Sequence, residues 1–140
     1  METTPSNKIM PDDVRATLAH IVQSAMFCNS PQLIKFIQYV VDASLGGKAE
    51  KLKAYAIGVD VLGRSEDFDP QIDPIVRVEA RRLRQAIESF YAGPGANEPI
   101  RIEIPLGSYA PVFHRRLSGP DQLHQDSQAP ALAGLYFKRP

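Results

Sequence analysis

The most regular apolar spacing in the chain lies in PQLIKFIQYVVDASL, residues 31–45. Leu33, Ile34, Ile37, Val40, Val41 and Leu45 recur at helical intervals, and Phe36 and Tyr39 widen the stripe, so the segment is predicted as a central helix. Ser30 stands at its N-cap, Pro31 at its first position, and Gly46–Gly47 stop it. An earlier helix is expected to start at the acidic cluster Pro11–Asp12–Asp13, which suits a helix N-terminus. Its stripe is Val14, Leu18, Ile21, Val22 and Ala25. A third helix is expected over residues 49–61, with Leu52, Tyr55, Ala56, Val59 and Leu62 on one face. Gly58 is a weak point in its middle, which close packing against another element would explain. Residues 63–73, GRSEDFDPQID, read as a loop. A fourth helix is expected from Asp73 as N-cap, with Pro74 at N1, to about Tyr91, before Gly93–Pro94–Gly95.

The period then changes from helical to two. Ile100, Ile102 and Ile104 alternate with Arg101 and Glu103, as in a half-buried strand. Pro105–Leu106–Gly107–Ser108 reads as a turn and residues 109–113 as a second strand. The predicted fold class is therefore mainly α with a C-terminal β-hairpin, in one domain over residues 11–113. Residues 1–10 are expected to be a disordered N-terminus. Residues 114–140 are expected to be a flexible polar tail, with LAGLYF as a short apolar run.

Composition narrows the function classes. Sixteen basic residues balance sixteen acidic ones among 140, which excludes a protein that holds polyanions by bulk charge. Any nucleic-acid binding must come from a local patch. The single cysteine, Cys28, excludes an internal disulfide, and its apolar surroundings predict a partly buried, inert thiol. No apolar run is long enough to cross a membrane, and METTPSNK has no signal core, so the expected location is the cytoplasm. His20, His114 and His124 are far apart, and SEDFDPQID lacks the spacing of a calcium loop. No phosphate-cradling glycine loop or nucleophile–base pair is visible. Neither an enzyme nor a metal or cofactor site is expected.

One block departs from the neutral background: Arg77, Arg81, Arg82 and Arg84 fall within eight residues. With about 100° per residue and Val76 at zero, Ala80, Leu83, Ile87, Phe90 and Tyr91 stay within about 60° of it as a core stripe. On that wheel Arg84, Arg77 and Arg81 lie at about 80–140°, Glu88 at about 120°, Arg82 at about 240° and Glu79 at about 300°, all off the core. A solvated face with i,i+4 ion pairs such as Arg84–Glu88 would explain such a helix. Two features favour nucleic acid instead. Every cation in the block is arginine, which suits phosphate and guanine. The helix also follows another helix and precedes a hairpin, the layout of a winged helix-turn-helix.

VRVEARRLRQAIE, residues 76–88, resembles the recognition helix of response-regulator output domains of the OmpR/PhoB type, and IRIEIPLGSYAP resembles their wing. Arg81, Arg82 and Arg84 match family positions that contact DNA. Arg77 stands where the family usually has an acidic residue, Glu79 where it often has histidine, and Ser108–Tyr109 replaces a Gly-Tyr pair. These departures bear on base specificity rather than on the scaffold. The family opens with a small sheet where this chain has helices, and no receiver domain precedes the region here, so the signal is not expected to be phosphorylation of an attached receiver. Residues 14–113, through FCNSPQLIKFIQYVV, KAYAIGVDVLGRSEDFDP, DPIVRVEARRLRQAIESFYAG and IRIEIPLGSYAPVF, more closely resemble a bacterial module. That module is found at the N-terminus of proteins with nucleotide-cyclase, tetratricopeptide or TolB-like regions.

The resemblance implies a winged-helix module that binds double-stranded DNA in transcriptional control. Arg77, Arg81, Arg82 and Arg84 would share phosphate and base contacts, with Gln85 as an adenine reader. Arg101, Ser108 and Tyr109 would hold register from the wing, and Lys51 and Lys53 could add phosphate contacts. Tyr109 could equally pack on the fourth helix, and the lysines could be a solvated face. The acidic loop 63–73 matches one that touches RNA polymerase in winged-helix activators, and a homodimer or tandem binding is expected. The alternative is a protein-interaction module of the same fold that docks a partner without DNA. Alanine at Arg81, Arg82 and Arg84 separates the two, since only DNA binding requires all three.

Overall fold

A computed structural model of the protein describes residues 9–116. The order is α1 (Pro11–Gln23), α2 (Ala25–Cys28), α3 (Pro31–Leu45), a 3-10 turn (Ala49–Lys51), α4 (Ala54–Asp60), α5 (Ile75–Ala92), β1 (Ile100–Glu103) and β2 (Val112–Arg115). The fold is thus mainly helical with a two-stranded antiparallel hairpin, as the change of period predicts. Among the described residues no helix is long and apolar enough to cross a membrane.

α5 packs against α2, α3, α4 and β1, and α1 packs against α3 and β1. Phe27, Phe36, Leu83, Phe90, Ile100 and Ile102 are fully buried between them. α3 has the predicted bounds, although Ser30 makes no side-chain cap bond. It ends in a Schellman motif: the Lys48 N–H donates to the Ala43 carbonyl (2.8 Å) and Gly47 N–H to that of Ser44 (3.2 Å). That motif needs a left-handed residue, and Gly47 supplies it with φ of 76°.

Several expectations are corrected. The first helix stops at Gln23 because Ser24 is extended (ψ 162°), and its hydroxyl donates to the Ile21 carbonyl at 2.6 Å. The chain restarts as α2, which turns Phe27 into the core and leaves Ala25 and Cys28 exposed. The expected helix over 49–61 is also two pieces, since Leu52 (ψ 77°) and Lys53 (ψ 159°) leave helical geometry. Freed from the phase of Leu52, α4 buries Ile57 and Gly58 and exposes Tyr55. In the hairpin β2 starts three residues later than expected and runs to Arg115, pairing Ile100 with Arg115 and Glu103 with Val112. The Ala110 N–H donates to Ser108 Oγ (3.1 Å) and Pro111 has no N–H, so residues 109–111 stay off the ladder. The folded region therefore passes residue 113 and includes His114 to Arg116. It also starts before residue 11, because Ile9 packs on the core and the Met10 carbonyl accepts the N–H groups of Asp13 and Val14. The expectations for residues 1–8 and 117–140, LAGLYF and His124 included, lie outside the described residues.

Gly58 is explained as the sequence suggests. A Cβ there would come within 2.3 Å of the buried Phe68 ring. Gly58→Ala gains about 1 kcal/mol of helix propensity but forces that ring to move, and overpacking costs about 1–3 kcal/mol. The expected result is a fall of a few degrees in Tm, read by circular dichroism.

The Tyr39 hydroxyl donates to Asp60 Oδ2 at 2.8 Å and ties α3 to the end of α4. Burial, and then the hydrogen bond and charge of Asp60, push its phenol from 10.0 up to about 12. The folded state holds this proton more tightly than the unfolded chain does. Its contribution is therefore intact below pH 10.0 and lost as pH rises to about 12. Tyr91 is raised too, chiefly by burial. Urea denaturation at increasing alkaline pH should show stability falling across that window, less steeply in Tyr39→Phe.

Candidate functional site

The core stripe of α5 is as the wheel predicts: Val76, Ala80, Leu83, Ile87, Phe90 and Tyr91 are all buried. The helix starts at Ile75, one residue later than expected, so Pro74 rather than Asp73 is its N-cap; Asp73 Oδ1, just outside the helix, accepts the Ile75 N–H at 3.1 Å. Asp73 also pairs with Arg64 at 3.2 Å. These contacts fix the angle at which α5 leaves the loop.

β1 is seated on the same helix from the other side. The Tyr91 hydroxyl donates to the Ile100 carbonyl (2.8 Å) and accepts the Ile102 N–H (2.9 Å). Arg101 lies 4.8 Å and Arg116 5.5 Å from the ring centroid of Tyr91, within cation–π reach. The hairpin is braced to α1 as well. Glu98 accepts the Thr17 hydroxyl (3.1 Å) and lies 2.8 Å from His20 Nδ1, and Arg115 pairs with Asp13 at 3.0 Å. The hairpin is thus held at a set height beside α5.

Between the outer face of α5 and the hairpin turn runs a groove of about 600 Å³. It gathers Arg77, Arg81, Arg84, Gln85, Arg101, Ser108 and Tyr109, seven of the ten residues expected from sequence. Lys51, Lys53 and Arg82 do not line it. Arg81 and Gln85 are exposed, with no hydrogen-bond or ion-pair partner among the described residues. Arg77 reaches back to the Pro70 carbonyl at a long 3.4 Å. Tyr109 is half-buried against the core and forms part of the wall.

Arg84 has a different position from its neighbours. Its Nε donates to the Ile104 carbonyl (2.9 Å), and its Nη2 donates to the carbonyls of Pro105 (3.0 Å) and Ser108 (3.1 Å). It holds the hairpin turn to α5 and lines the groove. Arg82 faces the other flank and gives Nη1 to both oxygens of Glu79, at 3.0 and 3.1 Å. Glu79 is only 5% exposed, a correction to its placement off the core. Its angle lies next to the stripe, and the Arg82 charge offsets the cost of burying it.

Among the wall residues that sequence reasoning did not single out are Glu88, Glu103 and Leu106. The wheel already put Glu88 among the arginines, and Leu106 is an apolar residue at the tip of a polar turn, so both left a signal. The groove therefore offers four guanidiniums against two carboxylates, beside apolar Ile104, Pro105 and Leu106. Guanidinium forks facing a channel can grip phosphate oxygens or guanine edges, while the carboxylates repel anionic groups placed on them. The arrangement suits an extended ligand with spaced anionic oxygens better than one compact anion. Compared with protein-family models, curated proteins and solved structures, the chain matches none.

Proposed function

We propose that this protein is a cytoplasmic, non-enzymatic regulator of transcription that binds double-stranded DNA sequence-specifically through a winged-helix fold. α5 lies in the major groove and the hairpin 100–115 acts as the wing. The observation that carries this reading is the groove in which Arg77, Arg81, Gln85 and Arg101 converge with the hairpin turn. Arg81 and Gln85 are the readers of base edges, Arg77 and Arg101 hold phosphates, and Arg84 shapes the wing. Lys51 and Lys53, exposed before α4, supply flanking phosphate contacts. The exposed acidic loop before α5 is a surface for RNA polymerase. A domain of this size reads a short site, so it binds as a homodimer or in tandem.

The test is fluorescence anisotropy of the full chain on duplexes from its own gene neighbourhood, at low and physiological salt. Saturable binding that weakens with salt and discriminates among sequences supports the reading; no binding at low salt sinks it. A second reading, a protein-docking module, is favoured by Ile72, 79% exposed, and by Val78, which is also exposed on α5. In that case Ile72→Asp removes partner binding while alanine at Arg81 does not.

A further inference from the structure

Leu106 is the most exposed large apolar side chain in the described fold, at 87%. It does not sit on a loose tip. The Ser108 N–H closes the turn onto the Pro105 carbonyl at 3.3 Å, and Gly107 takes φ of 81°, which the third position of such a turn favours. Arg84 holds the carbonyls on either side of it, those of Ile104, Pro105 and Ser108. The backbone under Leu106 is therefore fixed from α5, and its side chain is presented to the same groove as Arg77 and Arg81.

An occupant drawn by the arginines brings anionic oxygens. An occupant that covers Leu106 must also offer an apolar slot within the same groove. A base step of a duplex offers both, with phosphates at the rim and stacked base faces inside. We infer that Leu106 is a wedge that enters between two base pairs from the minor groove and kinks the DNA. This rests on the DNA-binding reading of the site and adds to it a mode of recognition. Apolar wedges of this kind bend a duplex by about 20–90°. The deformation is easiest at pyrimidine–purine steps, so Leu106 creates a preference for TA or CA/TG where the wing lands, independent of any base contact from α5.

The test uses a duplex enriched by the protein from a random-sequence pool and labelled at its ends with a fluorescent donor and acceptor. Wild type is expected to shorten the end-to-end distance. Leu106→Ala is expected to bind the same duplex about tenfold more weakly and leave it straight, and Leu106→Met to restore the bend. Sequences enriched by wild type should carry a flexible step at a fixed distance from the α5 site, and those enriched by Leu106→Ala should not. Because the side chain is exposed, the substitutions leave the fold intact, which circular dichroism checks. A straight wild-type complex, or an equally bent Leu106→Ala complex, overturns the wedge and leaves DNA binding standing. Failure to enrich any duplex, with no anisotropy change at low salt, overturns both.

Discussion

Replacing Arg77 and Arg81 together with alanine is expected to weaken binding to the enriched duplex by about 100-fold, or about 3 kcal/mol. Both side chains are exposed and line the groove, and Arg81 has no partner among the described residues. Their loss therefore costs the fold little, because Arg81 is an unpaired surface charge and Arg77 makes only a long, exposed 3.4 Å bond to the Pro70 carbonyl. Each phosphate contact removed should also lower the slope of log K against log salt by about 0.9. Arg77, as the phosphate contact, accounts for that change of slope, while loss of Arg81, a reader of base edges, relaxes discrimination between sequences. Arg15→Ala is the control: that arginine pairs with Asp42 at 2.8 Å and does not line the groove. Titration by anisotropy at several salt concentrations reads all three quantities. Equal affinities for wild type and the double variant would remove this face of α5 from the interface.

How much of this was visible in the sequence differs by element. α3 and α5 were legible because their stripes are long and their ends carry Pro, Gly or Asp, signals that act locally. The hairpin was legible through its three alternating isoleucines. The expected helix over 49–61 failed because Leu52 fits the 3.6 period as well as Tyr55 and Val59 do, and periodicity cannot register a backbone break at Leu52 and Lys53. The start of β2 was misjudged because Tyr109 looks like a strand residue, whereas the Ser108 hydroxyl captures the Ala110 N–H. Seven of the ten expected site residues come together because a helix face and the next hairpin are neighbours by connectivity. What each arginine bonds was not legible. Arg82 and Arg84 differ by two positions in sequence, yet one offsets a buried glutamate on α5 itself and the other reaches across to a turn twenty residues on. Only the packing of β1 on Tyr91 brings that turn within reach.

Arg84→Ala is therefore expected to act first on the wing and only through it on DNA. The substitution strips three carbonyls of donors, two from Nη2 and one from Nε. A hydrogen bond from a charged group contributes about 1.5–3 kcal/mol. The turn is partly open to water, which can take up some of the carbonyls, so a loss of about 2–4 kcal/mol in all is expected. Residues 104–111 should lose amide-exchange protection while the α3 and α5 cores keep theirs. Arg84→Lys separates charge from shape: it restores the positive charge but, as a point donor on a flexible stem, cannot fork to three carbonyls, so it recovers only part of the stability. If Arg84 instead contacts DNA directly, lysine should preserve much of the affinity as a phosphate contact even with a loosened wing. If it acts by holding the wing, affinity and exchange protection should fall together in both variants, and the DNA bend with them, since Leu106 rides on the turn that Arg84 holds.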